Sequence, residues 1–308
     1  MLWKTRSSGS WPVTNPVRSA WCVAVAGLVA GLAASGCSAF GAGPSAPARH
    51  SHSARDARAA ARDRGSRHDT AADPGPGAPA AKPLAGKIVG IDPGHNGLNG
   101  TDPAFINRII WNGRQWEHCN TTGTSTNGGY SEALFNFRVA MFLAAYLRAD
   151  GARVVLTRHN NHGVGPCVNW RSYVLNRAHA DVSIDIHADG GPSWGRGFTV
   201  LEPVVDKYNH LVIGSSLRFG RYVHAAFLAR TPLRASNYYG HNGYIFRNDL
   251  AGLNLTTQPK VLIECGNMRS AADAALLTSP RVQRELARAL EAAIVRFLTG
   301  NWPPAGRR

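Results

Sequence analysis

Apolar and polar positions divide the chain into three stretches with different patterns. Trp21 to Ala34 is one apolar run without a charge, and after Phe40 scarcely a large apolar residue appears until residue 84. From residue 87 onward, short apolar runs alternate with longer segments whose apolar residues recur at helical spacing. Lys87 to Ile91 is such a run, closed by Asp92-Pro93-Gly94, and predicts a buried strand. Ser131 to Ala149 places Leu134, Phe135, Val139, Phe142, Tyr146 and Leu147 on a helical period, with Ser131 as N-cap and Gly151 as stop. Arg153–Thr157, Val182–Ile186 and Val261–Ile263 predict further strands. Trp170–Ala180, Leu211–Ala229 and Pro280–Leu298 predict further helices, the last with proline in its first turn. Strands alternating with helices specify an α/β domain: a mostly parallel central sheet flanked by helices. No internal repeat is present.

Composition changes this picture at the N-terminus. The chain has 308 residues, 44% apolar and 17% charged, which excludes a wholly disordered chain and a coiled coil. Its only apolar run near membrane-spanning length precedes residue 37, which excludes a polytopic membrane protein. Lys4, Arg6 and Arg18, then the apolar run, then small residues ending in Ser35-Gly36-Cys37 read as a secretory signal over residues 1–37. That ending is similar to a bacterial lipobox, with Ala34 where leucine is usual, so Cys37 is the expected lipidation site. Residues 38–86, rich in Ala, Arg, Pro and Gly, read as an extended tether that cannot bury enough apolar surface to fold. A single globular domain is expected over residues 87–301, with a tail at 302–308. The expected location is outside the cytoplasm: the periplasmic or cell-wall space, with Cys37 as a membrane anchor.

The formal charge is +15, and residues 87–308 keep +9 of it, from 24 basic and 15 acidic residues. Such a balance favours anionic partners without choosing among nucleic acid, lipid and acidic polymer.

Candidate chemistry gathers at the predicted strand ends. His95 follows the strand of Val89-Gly90-Ile91, His187 follows Ile184-Asp185-Ile186, and Glu264 follows Leu262-Ile263. In parallel sheets, ligands collect where strands end and loops begin. Glu132 opens the first long helix, where the helix dipole favours the ionised carboxylate that a cation needs. Two imidazoles, one carboxylate and an open position make a catalytic zinc set, and a second carboxylate held off the metal can act as general base. Any one of these residues alone is weak. A histidine after a strand is more often a hydrogen-bonded loop residue, whereas a carboxylate ending an apolar run is costly unless it has work to do.

Four motifs then carry a family resemblance: Asp92-Pro93-Gly94-His95-Asn96-Gly97, Ser131-Glu132 with Asn136 one turn on, Ile186-His187-Ala188-Asp189, and Leu262-Ile263-Glu264-Cys265-Gly266-Asn267. In this order they resemble the zinc-dependent N-acetylmuramoyl-L-alanine amidases of the amidase type 3 fold, over roughly residues 87–300. The resemblance implies hydrolysis of the amide between the lactyl group of N-acetylmuramic acid and the first L-alanine of the stem peptide. It implies that His95, Glu132 and His187 hold zinc and that Glu264 is the catalytic carboxylate. Asp189, Asn96 and Arg247 are candidates for substrate contact, Arg247 through a bidentate grip on a carboxylate unless it pairs with Asp249. His95 and Glu132 are separated by a longer step than is usual for the family. The insertion contains Glu117 as a competing ligand, but Glu132 is preferred because it opens a helix. Peptidoglycan or its fragments are the implied substrate.

Of the remaining cysteines, Cys119 in the insertion and Cys167 in the loop after the second strand are expected to pair in an oxidising compartment. Cys265 reads as a buried thiol. Trp111, Trp116 and Trp194 lie on loops, where they either stack on sugars or pack under the chain. The competing functions are another exported zinc amide hydrolase, such as a peptidase or deacetylase, and a non-catalytic wall-binding protein. Nucleic-acid binding is not expected, because an export signal is present and no nucleic-acid motif is. The basic charge suits an anionic cell envelope, and a monomer is expected.

Overall fold

Alternation along three strands organises the molecule. In the computed structural model, which describes residues 82–303, a six-stranded sheet has the order β4-β1-β5-β8-β6-β7. The strands are β1 (Ile88–Pro93), β4 (Arg153–Leu156), β5 (Val182–Asp189), β6 (Thr199–Pro203), β7 (Tyr244–Arg247) and β8 (Lys260–Asn267). A separate hairpin joins β2 (Ile109–Trp111) to β3 (Trp116–His118). Strands β4, β1, β5 and β8 are parallel; β6 pairs antiparallel with β8, and β7 runs parallel to β6. The helices are α1 (Pro103–Ile106), α2 (Glu132–Ala149), α3 (Val168–Arg177), α4 (Ile213–Arg230), α5 (Ala251–Asn254), α6 (Ala271–Leu277) and α7 (Pro280–Thr299).

Successive strand residues face opposite sides of a sheet. On β5, Val182, Ile184, Ile186 and Ala188 enter the main core, while Ser183, Asp185, His187 and Asp189 face the other way. On β8, Val261, Ile263 and Cys265 are core residues, and Lys260, Leu262 and Glu264 lie opposite. Helices α2, α7 and α4 cover the apolar face, with α7 packed between the other two. Phe135, Phe219, Phe227, Leu286 and Leu290 from these helices are fully buried there. Helices α3 and α5 lie over the polar face, where the Ser172 hydroxyl donates to the Ala251 carbonyl at 3.2 Å.

All eight elements expected from the pattern are present with small shifts at their ends. Ser131 caps α2 by accepting from the Leu134 amide, and Ser279 with Pro280 opens α7. Strands β6 and β7 and the hairpin were not anticipated. The boundary at 86 is corrected: Leu84 is fully buried and its amide bonds the Asp150 carbonyl at 2.9 Å, so the folded domain includes residues placed in the tether. The signal (1–37), Cys37, the tether before residue 82 and tail residues 304–308 lie outside the described residues. Among the described residues no helix is long and apolar enough to cross a membrane.

Candidate metal centre and active site

The polar face carries buried charge, and that charge sets the geometry of the first histidine loop. Asp92, Asp185 and Lys260 are all buried. Lys260 Nζ stands 2.7 Å from Asp185 and 3.9 Å from Asp92, and Arg171 reaches Asp92 at 2.7 Å. Burial opposes ionisation of Asp92, but Arg171 and Lys260 outweigh it and hold its carboxyl far below the usual range. Arg171 also donates to the carbonyls of Pro93 and His95 at 2.7 Å each, and Arg158 donates to those of Pro93, Gly94 and Ala133. The two guanidinium groups therefore grip the backbone on either side of Gly94. This grip accounts for a costly conformation: His95 has φ of +57°, in the left-handed region that non-glycine residues avoid.

His95, Glu132 and His187 offer one ligand atom each, all within 4.8 Å of one another. Glu132 Oε1 lies 3.1 Å from His95 Nε2 and 2.9 Å from His187 Nδ1. The Thr121 carbonyl accepts from His95 Nδ1 at 3.1 Å, which leaves Nε2 as the lone-pair nitrogen facing Glu132. Asn136 donates to Glu132 Oε1 at 3.2 Å and to the Gly94 carbonyl at 3.3 Å, tying the helix start to the loop. Gly94 has to be glycine, because a Cβ there would stand 2.2 Å from the His187 ring. The Glu132 carboxyl is only 4% exposed. Burial pushes it toward the neutral form, yet His95 and His187 prevail and hold its pKa well below the usual carboxylate range, so it is ionised. His187 is pushed toward the neutral form mainly by burial, with Glu132 opposing. A neutral imidazole beside an ionised carboxylate is the state that binds a divalent cation. The donor set therefore fits a metal ion, and these three residues could hold one.

Glu264 stands next to this cluster because β5 and β8 are in register at His187 and Glu264. Its Oε2 is buried and has no hydrogen-bond partner among the described residues. Burial first, then the charges of Glu132 and Asp189, raise its carboxyl well above the usual range, with Arg247 opposing. An unpartnered carboxyl with raised proton affinity beside a metal-binding set is suited to taking and returning a proton.

A cavity of about 360 Å³ opens on the cluster and is walled by Thr124, Asp189, Arg247 and Glu264. A second, of about 180 Å³, lies under the β2–β3 hairpin and shares His95 and His187 with it. Two expectations require correction. The fork of Arg247 is closed on Asp249 at 2.7 and 2.6 Å, and its remaining nitrogen meets the Tyr239 hydroxyl, so it is no free bidentate clamp. Asn96 is buried with its amide bonded to Gly165, Gly97 and Gly163, which makes it a loop brace instead of a substrate contact. Asp189 reaches the cavity and stays outside the metal set, accepting from Tyr238 Oη at 2.6 Å. Glu117 lies on the hairpin with Asn112 as partner and stays outside the metal set. Cys119 and Cys167 are bonded, with S–S of 2.06 Å, and Cys265 is a buried free thiol.

Sequence reasoning overlooked Arg171, Arg158, Asp92 and Lys260. The period-2 polar positions of Ser183-Ile184-Asp185-Ile186-His187-Ala188-Asp189 mark the sheet face that carries charge, but the partners of that charge lie on other elements and had no local signal.

Residues 89–296 match the family model described as N-acetylmuramoyl-L-alanine amidase. This chain belongs to that amidase family. It is 40% identical over 216 residues to an N-acetylmuramoyl-L-alanine amidase of Mycobacterium tuberculosis, covering 70% of this chain and 88% of that one. A germination-specific N-acetylmuramoyl-L-alanine amidase of Bacillus subtilis is 24% identical over 243 residues, covering 73% and 86%. The crystal structure of the amidase Ami1 from Mycobacterium smegmatis superposes with a TM-score of 0.66 at 37% identity, covering 71% of this chain and 99% of that chain. The amidase domain of this chain is therefore the α/β fold anticipated from the sequence, with its His/Glu/His cluster built from two strand ends and the start of α2.

Proposed function

We propose that this amidase hydrolyses the bond between N-acetylmuramic acid and L-alanine in peptidoglycan or its fragments, using His95, Glu132 and His187 to hold zinc and Glu264 to move the proton. The observation that carries the reading is Glu264: a carboxyl whose buried Oε2 has no partner among the described residues, beside three residues that could hold a metal and open to a cavity. A bound zinc ion would lower the pKa of water and polarise the scissile carbonyl. Glu264 accepts the proton of the attacking water and returns it to the departing alanine amine, without which the tetrahedral intermediate would expel water. Asp189 and Arg247 supply fixed charge at the cavity wall, and the pairing with Asp249 holds Arg247 in place.

The signal-like residues 1–37 support export to the wall space, and Ser35-Gly36-Cys37 supports lipid anchoring; the +15 charge suits an anionic envelope, with the folded unit acting as a monomer. The test incubates the protein with a muramoyl-tripeptide and identifies products by mass spectrometry. Glu264→Gln should retain one equivalent of zinc and lose about 10²–10⁴-fold in turnover, the usual contribution of general acid–base catalysis. His187→Ala should lose the metal itself. Wild-type turnover by Glu264→Gln would refute its role, and stem fragments or acetate as products would identify a peptidase or a deacetylase.

A further inference from the structure

We propose that Trp194 is a sugar-stacking platform, a subsite for a pyranose ring of the glycan strand next to the muramic acid being cut. The inference rests on the amidase reading above and adds a binding position outside the metal cluster.

The argument begins with how the loop after β5 is built. Residues 189–195 leave the strand that carries His187 and turn tightly, with the Gly195 amide donating to the Pro192 carbonyl at 2.8 Å. Asn267 on β8 donates from one amide nitrogen to the carbonyls of Pro192 and Gly195, at 2.7 and 2.8 Å. On the other side the Tyr238 ring presses against the loop. A Cβ at Gly191 or Gly195 would stand 2.2 or 2.5 Å from its ring atoms, so both positions require glycine. Tyr238 is fixed in turn by its hydroxyl on Asp189. Just beyond the loop, the Arg196 and Gly197 amides are held by Asn237 and Asp273. The loop is thus anchored at both ends and along its length.

What this frame presents is an indole that is 68% exposed. Its single aromatic neighbour among the described residues is Tyr238, met edge-on with centroids 6.5 Å apart, so a flat face of the ring is left to water. A lone exposed apolar residue on a mobile loop would be unremarkable. An indole on a braced pedestal is different, because the ordering entropy of the loop backbone that presents it is already paid for before any ligand arrives. The other exposed tryptophans are placed differently: Trp111 and Trp116 meet edge-on across the β2–β3 hairpin, Trp170 stacks on Tyr173, and Trp302 meets Tyr222 of α4 edge-on.

The pedestal is continuous with the active cavity. Asp189, which holds Tyr238, and Gly190 both wall the cavity that contains Glu264 and the metal-binding residues. A ligand extending out of that cavity past Asp189 therefore meets Tyr238 and then Trp194. The stem peptide is polar and charged, whereas a pyranose offers a flat C–H face that matches an aromatic ring. The glycan strand is thus the part of the substrate that suits this direction.

Two measurements test the proposal. Kinetics are compared on a muramoyl-tripeptide with one sugar and on a tetrasaccharide muropeptide, for wild type, Trp194→Ala and Trp194→Phe. We expect Trp194→Ala to raise KM for the tetrasaccharide about tenfold with kcat unchanged, to leave the one-sugar substrate unaffected, and Trp194→Phe to recover most of the loss. Equal effects on both substrates, or none on either, would overturn the platform while leaving the amidase reading intact. In parallel, tryptophan fluorescence is titrated with the peptide-free β-1,4-linked N-acetylglucosamine tetramer. Saturable quenching in wild type that is lost in Trp194→Ala supports the platform even if no amide is cleaved; quenching that persists in Trp194→Ala overturns it.

Discussion

The two faces of the central sheet are made from the same strands and obey different physics. Under α2, α4 and α7 the contacts are apolar and non-directional, so each residue matters mainly through the volume it fills. Under α3 and α5 lie Asp92, Asp185 and Lys260, met by Arg171 from α3, and their burial is tolerable only while each finds its partner. The first face holds the molecule together and reaches the site only through Glu132 and Asn136 at the start of α2. The second carries the residues that aim His95 and present Glu264. The sheet thus separates stability from function by alternation alone, and substitutions should reveal that division.

The largest effect on stability is expected where a buried charge loses its partner. Lys260→Met should cost about 3–5 kcal/mol, read by urea unfolding, with partial recovery when Asp185→Asn is added. A cost no greater than that of a conservative core change would break the comparison. Next is the covalent tie that pins the hairpin segment to the start of α3. Cys119→Ser with Cys167→Ser opens a loop of 48 residues and should cost up to about 4 kcal/mol on the chain-entropy account. On the apolar face, Ile184→Val should cost only about 1 kcal/mol and leave turnover unchanged, because one methyl is lost from a packed core.

The smallest effect sharpens the contrast. Glu202 on β6 points to the helical face, beside Gly220 of α4, where burial raises its carboxyl to about 7 with only Arg221 opposing. Its folded pKa exceeds its ordinary value of 4.5, so the stability it contributes is complete below that value and is lost as pH rises through about 7. Glu202→Gln keeps the neutral shape and should flatten the fall in Tm between about pH 5 and pH 8. An unchanged slope would show that the apolar face accommodates charge after all.

Much of this was legible beforehand, for identifiable reasons. The parallel strands β1, β5 and β8 are short apolar runs bounded by glycine or proline, and α2 and α7 carry a clear period and caps, so local pattern sufficed. Strands β6 and β7 were missed because Thr199–Pro203 and Tyr244–Arg247 are short and lack alternation strong enough to stand out from their loops. At the site, His95, Glu132, His187 and Glu264 were readable because each sits at a strand end or helix start in a family-like motif. Arg247 misled because a side chain's partner, here Asp249 two residues on, is settled by rotamer and neighbourhood and not by spacing. Asn96 misled for a similar reason: its motif position suggested a ligand contact, and the fold turned its amide to three backbone groups, one in its own loop and two in the loop between β4 and α3.

By itself the sequence determined the α/β class, the order of the main elements and the four candidate residues for the chemistry. These follow from hydrophobic period, capping residues and motif order, which are local properties of the chain. Only the tertiary structure decided that two histidines 92 positions apart and a glutamate between them in the chain meet within 4.8 Å. It also decided that Arg171 and Arg158 hold His95 in its left-handed conformation, and that Tyr238 and Asn267 brace the loop of Trp194. The physical reason is that partner choice for a charge or a hydrogen bond depends on distance and desolvation, and both are created only when the strands come into register.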